Sequence, residues 1–189
     1  MNKLILFGDS NTYGYDPRGF LGGRYLEDIR WTTQVKNAFF DKYEVIEEGQ
    51  NGRMLPDVGY GYFSNLIQST NEGDIFVMML GTNDILLTNH PNVKATLAKL
   101  ELILAFVSNN CLGTFILIAP PYIKIMDEQM KMYHDCCVKL NAGYLSLAKK
   151  YKIKAIDAST WNIAMGFDGV HFSIDGHKQF AKCFVDNLF

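Results

Sequence analysis

A chain of 189 residues, 48% hydrophobic and 20% charged, is long enough to bury a full core and is expected to form one domain over residues 1–189. Its formal net charge of −2 gives no electrostatic reason for a nucleic-acid or anionic-membrane partner, and neither is expected. Four cysteines, Cys111, Cys136, Cys137 and Cys183, form no CxxC or disulfide-rich spacing and read as reduced thiols.

The chain starts with MNKLILFGDS. Its apolar run LILF spans four residues, against the roughly 7–15 of a signal-peptide core. No run approaches the roughly 18 apolar residues of a membrane helix, so a cytoplasmic protein is expected. The first predicted strand, KLILF (3–7), runs into FGDSNTYG (7–14). Two readings of Ser10 stay open here: ordinary turn chemistry, or a hydroxyl presented at the carboxyl edge of a parallel sheet. The stretch YDPRGFLGGRYLEDIR (15–30) has no clear period and is long for a strand-to-helix connection of about 2–6 residues. It reads as a rim over the site that Ser10 serves.

A helix is predicted at about 32–41 and a strand, YEVIE, at 43–47, followed by EGQNGR (48–53). Next come a helix at about 57–69, the strand DIFVMML (74–80) with GTND (81–84) after it, and a helix at about 92–109. The strand TFILIA (114–119) precedes a long helix at 127–150, with Met130, Tyr133, Val138, Leu145 and Leu147 as its apolar stripe. The last strand, IKAID (153–157), is followed by DGVHF (168–172) and a helix at about 175–187. Alternating strands and helices predict a parallel sheet, and the continuous apolar third and fourth strands predict cover on both faces.

In such a sheet the segments after each strand converge on one edge. They bring together a hydroxyl, a glycine amide, a carboxamide and a carboxylate–imidazole pair, the inventory of acyl transfer by a serine. Of His90, His134, His171 and His177, only His171 has a carboxylate three residues before it across a glycine. That spacing can bring Asp168 to its Nδ1 and leave Nε2 facing Ser10. His90 and His134 read as structural or solvated, and His177 as a helix-start residue. Asn83 is either a routine turn residue or a donor to a developing oxyanion, and Gly52 is either a turn glycine or an exposed amide. Their joint placement at successive strand ends favours the second reading of each.

GDSN with Ser10, GQNG with Gly52, GTND with Asn83, and DGVH with Asp168 and His171 resemble the four ordered blocks of the SGNH (GDSL-type) hydrolase family, over residues 3 to about 180. The resemblance implies a three-layer α/β/α, flavodoxin-like fold with a central, mainly parallel five-stranded sheet. It also implies ester hydrolysis through an acyl-serine intermediate. Ser10 is then the nucleophile, His171 the general base and acid, and Asp168 the orienter. The oxyanion hole is the Ser10 and Gly52 N–H groups with the Asn83 side chain. Asn11 stands where the usual signature has leucine, a variant expected to leave the chemistry intact. The stretch from GDSNTYGY through Arg30 and Trp31 to EEGQNGR is similar to the arylesterase/acyltransferase branch, which includes acyltransferases and oligomers.

No cofactor or metal is expected. Asp168, His171, Asp175 and His177 crowd within ten residues, but no metal-site spacing accompanies them. A P-loop, a dinucleotide fingerprint and a G-x-S-x-G elbow are also absent. The expected partner is a small-molecule ester with a short acetyl or aryl group. Carbohydrate deacetylation, lysophospholipid hydrolysis and a silent acyl- or glycan-binding module are the alternatives. Tyr13, Tyr15, Trp31 and the 15–30 stretch either narrow the entrance or belong to core or interface, and aromatics exposed there would favour a homo-oligomer.

Overall fold

Leu4 and Leu6 turn to one face of the first strand and Ile5 and Phe7 to the other, and all four are buried. Side chains alternate along a strand, so burial on both sides requires an apolar residue at every position. This computed structural model, which describes residues 1–19 and 23–189, shows that pattern in the three central strands. The strands β1 (Asn2–Gly8), β2 (Tyr43–Gly49), β3 (Ile75–Met79), β4 (Thr114–Ala119) and β5 (Lys154–Asp157) all pair in parallel, in the order β2-β1-β3-β4-β5. The sheet is five-stranded, as expected.

Helices α2 (Trp31–Ala38) and α7 (Ile174–Asn187) cover one face, bringing Trp31, Val35, Phe180 and Phe184 against Leu4, Leu6, Val77 and Ile116. Helices α3 (Tyr62–Gln68), α5 (Val93–Asn110) and α6 (Glu128–Lys150) cover the other, where Phe63, Leu100, Leu104, Leu140 and Tyr144 meet Ile5, Phe7, Phe76 and Leu117. Each large side chain buried this way contributes about 1.5–3 kcal/mol, and together they hold three layers, helix on sheet on helix.

The predicted elements stand within a few residues of their expected limits. Helix α3 starts later than expected because Gly59 and Gly61 hold positive φ angles of 93° and 87°. The apolar stripe of α6 needs correcting. Its buried residues are Tyr133, Cys137, Leu140, Asn141, Tyr144 and Ala148, and Val138 is exposed. Two short helices, α1 (Ser10–Tyr13) and α4 (Thr82–Leu86), are too brief for a 3.6-residue period to announce them. Among the described residues no helix is long and apolar enough to cross a membrane.

From β1 the chain crosses to β2 on one side, and β3 joins the other side of β1. The connections leaving β1 and β3 therefore diverge and open a crevice at the carboxyl ends of the strands. Ser10 follows β1 and Asn83 follows β3.

Candidate active site

Ser10 is the first residue of α1, set on the sheet edge by two close approaches. A Cβ on Gly49, the last residue of β2, would stand 2.2 Å from the Tyr13 backbone nitrogen. A Cβ on Gly8 would stand 2.0 Å from Thr12 Oγ1. Only glycines at these two strand ends let the turn of helix sit this low. The Asp9 carboxylate caps the turn by accepting from the Asn11 N–H at 3.0 Å. Burial pushes the Asp9 carboxyl up from 3.8 to about 6, against the opposing pull of the Asn11 hydrogen bond and of His171 and Arg53.

The loop before α7 supplies the imidazole. Asp168 Oδ1 accepts from the Val170 and His171 N–H groups, each at 3.0 Å, folding the loop around its own carboxylate. Asp168 Oδ2 lies 2.6 Å from His171 Nδ1, and His171 Nε2 lies 2.9 Å from Ser10 Oγ. A carboxylate only accepts, so Nδ1 carries the proton and Nε2 is left to accept from the serine hydroxyl. Burial alone would raise the Asp168 carboxyl, but the ring and amide hydrogen bonds from His171, with that from Val170, hold it below its ordinary value. The Tyr15 ring packs on the imidazole, with centroids 4.5 Å apart.

The connections after β2 and β3 meet beside Ser10. Gly52 takes a φ of 70°, in the left-handed region that glycine occupies freely. Neither the Gly52 nor the Ser10 N–H has a hydrogen-bond acceptor among the described residues. The first N–H groups of a helix have no intrahelical partner. Asn83 Nδ2 donates to the Arg53 carbonyl at 3.0 Å, and a carboxamide nitrogen has a second proton to give. Asp84, beside it, accepts from the Leu55 N–H at 2.9 Å, and burial raises its carboxyl. The Arg53 guanidinium spans the ends of β1 and β2. It donates to the Gly8 and Glu48 carbonyls and lies 4.1 Å from the Phe7 ring centroid.

The five predicted residues Ser10, Gly52, Asn83, Asp168 and His171 thus belong to segments gathered at one edge. An imidazole held by a carboxylate can take the serine proton as the oxygen attacks, and unpaired amides can receive the negative charge that develops. Sequence reasoning missed Arg53, present in the EGQNGR block but assigned nothing. It read Asn11 as a variant that leaves the chemistry intact and did not anticipate that its side chain reaches the His171 loop.

The other candidates fall elsewhere. Trp31 is a core residue, 1% exposed and packed on Phe180 and Phe184, so it takes no part in an entrance. Its Nε1–H donates to the Asn11 carbonyl at 2.9 Å. Tyr13 lies beneath the Arg24 guanidinium, 4.3 Å away. Residues 20–22 of the 15–30 stretch lie outside the described residues. The described part is tied to the sheet through Arg24 and Arg30, both on Glu47. His90 is exposed, and His134 Nδ1 faces the Ile123 carbonyl at 2.8 Å. Asp175 is exposed, and His177 is buried, its Nδ1 accepting from the Trp31 N–H at 3.3 Å. Burial, helped by Arg30, lowers His177 from 6.5 to about 4. A cavity of about 680 Å³ between Tyr122, Lys124, His134 and Trp161 has no member of the Ser10–His171–Asp168 chain in its lining.

A family model described as the GDSL-like Lipase/Acylhydrolase family matches residues 6–179. No curated protein matches the chain. Among solved structures, the native aryl esterase of M. smegmatis superposes with a TM-score of 0.82 at 21% identity, covering 100% of this chain and 98% of that one. Est24, a carbohydrate acetylesterase from Sinorhizobium meliloti, gives 0.80 at 21% identity with the same coverage. Axe2, an acetylxylan esterase from Geobacillus stearothermophilus, gives 0.75 at 18% identity, covering 98% of this chain and 93% of that one. At these identities the likeness is one of fold.

Proposed function

Because the chain belongs to the GDSL-like lipase/acylhydrolase family and is an ester hydrolase of that kind, we propose that it cleaves short-chain acetyl or aryl esters through an acyl-serine intermediate. The observation that carries the reading is the unbroken hydrogen-bond chain from Ser10 Oγ through His171 to Asp168.

Ser10 Oγ attacks the ester carbonyl carbon while its proton passes to His171 Nε2. The carbonyl oxygen, now negative, receives hydrogen bonds from the Ser10 and Gly52 N–H groups and the Asn83 side chain. His171 then protonates the alcohol oxygen as the C–O bond breaks, leaving an acyl-Ser10. Water, deprotonated by His171, repeats the attack and releases the carboxylic acid. Asp168 keeps the Nδ1 proton in place and stabilises the imidazolium formed in each half.

A short acyl group is supported by the Tyr15 ring lying against His171, with centroids 4.5 Å apart. The aryl and acetyl esters named for the similar structures are consistent precedents.

Intact mass after fluorophosphonate treatment, with initial rates on p-nitrophenyl acetate, butyrate and octanoate, tests this. Labelling that is lost in Ser10→Ala, with acetate turned over fastest, is expected. Fastest turnover of octanoate would overturn the substrate assignment. Absence of both labelling and turnover would overturn the mechanism and favour a binding role.

A further inference from the structure

Asn11 follows the serine in the chain, yet its side chain is spent on the histidine's loop. Asn11 Nδ2 donates to the Val170 carbonyl at 3.1 Å, and Asn11 Oδ1 accepts from the Phe172 N–H at 2.9 Å. These two backbone groups flank His171 on either side. The carboxamide therefore pairs with the loop as a neighbouring strand would, with one donor and one acceptor in a single plane. The residue is 9% exposed, so both bonds are largely shielded from competing water.

Its backbone is anchored as well. The Asn11 N–H goes to Asp9 Oδ1 and its carbonyl accepts from Trp31 Nε1–H at 2.9 Å. One residue thus links the helix turn bearing Ser10, the core beneath α2 and the loop bearing His171. Asp168 controls the imidazole within that loop, but nothing in the Asp168–His171 pair places it against Ser10, 161 positions away.

We propose that Asn11 is the positioning residue that holds the His171 loop, and with it Nε2, at hydrogen-bonding distance from Ser10. It rests on the assignment of Ser10 and His171 as nucleophile and base. Other side chains of this size do not make both bonds. Leucine has neither donor nor acceptor. Aspartate would accept from Phe172 but turn a second acceptor on the Val170 carbonyl.

The test is Asn11→Leu, read in two ways. Amide hydrogen exchange at Phe172, slow in the wild type, is expected to become fast while the amides of β1 and β3 keep their protection. With p-nitrophenyl acetate, kcat is expected to fall by about 10- to 100-fold, the scale of an ångström-size misplacement, with KM changed less than about threefold. A merely structural role would lower the melting temperature and leave kcat per folded molecule unchanged, which would overturn the proposal. Unchanged exchange at Phe172 would overturn it too. Should Asn11→Leu fail to fold, Asn11→Ser removes the same two bonds with less crowding and is read identically. Ser10→Ala run alongside separates the two ideas. If it keeps wild-type turnover, the triad assignment fails on that measurement, whereas Phe172 exchange judges the tether directly.

Discussion

His171 Nε2 and Ser10 Oγ stand 2.9 Å apart although 161 positions separate the two residues in the chain. That distance is the hydrogen-bond reach that the proposed nucleophile and base need before any substrate arrives. The supports lie around it: Asp168 behind the ring, Tyr15 on its face, and Asn11 on the loop at both sides.

Asp168→Asn should leave the fold intact and turn the imidazole over. A carboxamide can offer N–H to Nδ1, which favours the tautomer with its proton on Nε2, where the base is needed. Turnover of p-nitrophenyl acetate is expected to fall by about 10⁴-fold with a small change in KM. A loss of less than about tenfold would show that Asp168 does not set the tautomer.

Asn83→Ala removes the proposed oxyanion donor and the bond to the Arg53 carbonyl. The expected loss is about 10²–10³-fold in kcat, or about 2.7–4 kcal/mol of transition-state stabilisation. Steady-state kinetics across an ester series check this. A rise in KM with kcat unchanged would instead assign Asn83 to ground-state binding.

Trp31→Ala should cost stability rather than selectivity. The indole is buried between Phe180 and Phe184, and truncating such a side chain costs about 3–5 kcal/mol. Urea unfolding should show the drop, while the ratio of acetate to octanoate turnover stays unchanged. A changed ratio at unchanged stability would place Trp31 at the entrance after all.

Acid stability should reveal two opposed groups. Asp9 is raised from 3.8 to about 6, so between those values the folded protein holds a proton that the unfolded chain has released. Its contribution is fully present below about pH 4 and is lost as pH rises through about 6. His177 is lowered from 6.5 to about 4, so its contribution is present above about pH 6.5 and is lost as pH falls through about 4. Asp9→Asn keeps the acceptor for the Asn11 N–H and removes only the first effect. The variant should melt above the wild type at pH 7, with the difference shrinking toward pH 4. Parallel melting curves from pH 4 to 7 would refute the buried, raised Asp9.

Much of this protein is legible along the chain because its signals are local. Apolar runs between helical periods determine a parallel sheet, and its two-sided burial makes the central runs continuous. Glycine, serine, asparagine and the Asp-x-x-His pair at successive strand ends mark the edge where chemistry gathers. A three-residue separation is enough to fold Asp168 onto His171.

The rest depends on contacts between distant segments, which leave no period to read. Trp31 could be entrance or core until α7 is packed against it, because an aromatic residue looks the same in either setting. The stripe of α6 is shifted, with Val138 exposed, because α6 is buried against both the sheet and α5 and apolar residues lie around much of its circumference. The carboxamide of Asn11 reads as a neutral replacement in the sequence. Only the fold brings Val170 and Phe172 to it, since a side chain of fixed donor and acceptor geometry acquires a role when partners 159 and 161 residues away arrive in its plane.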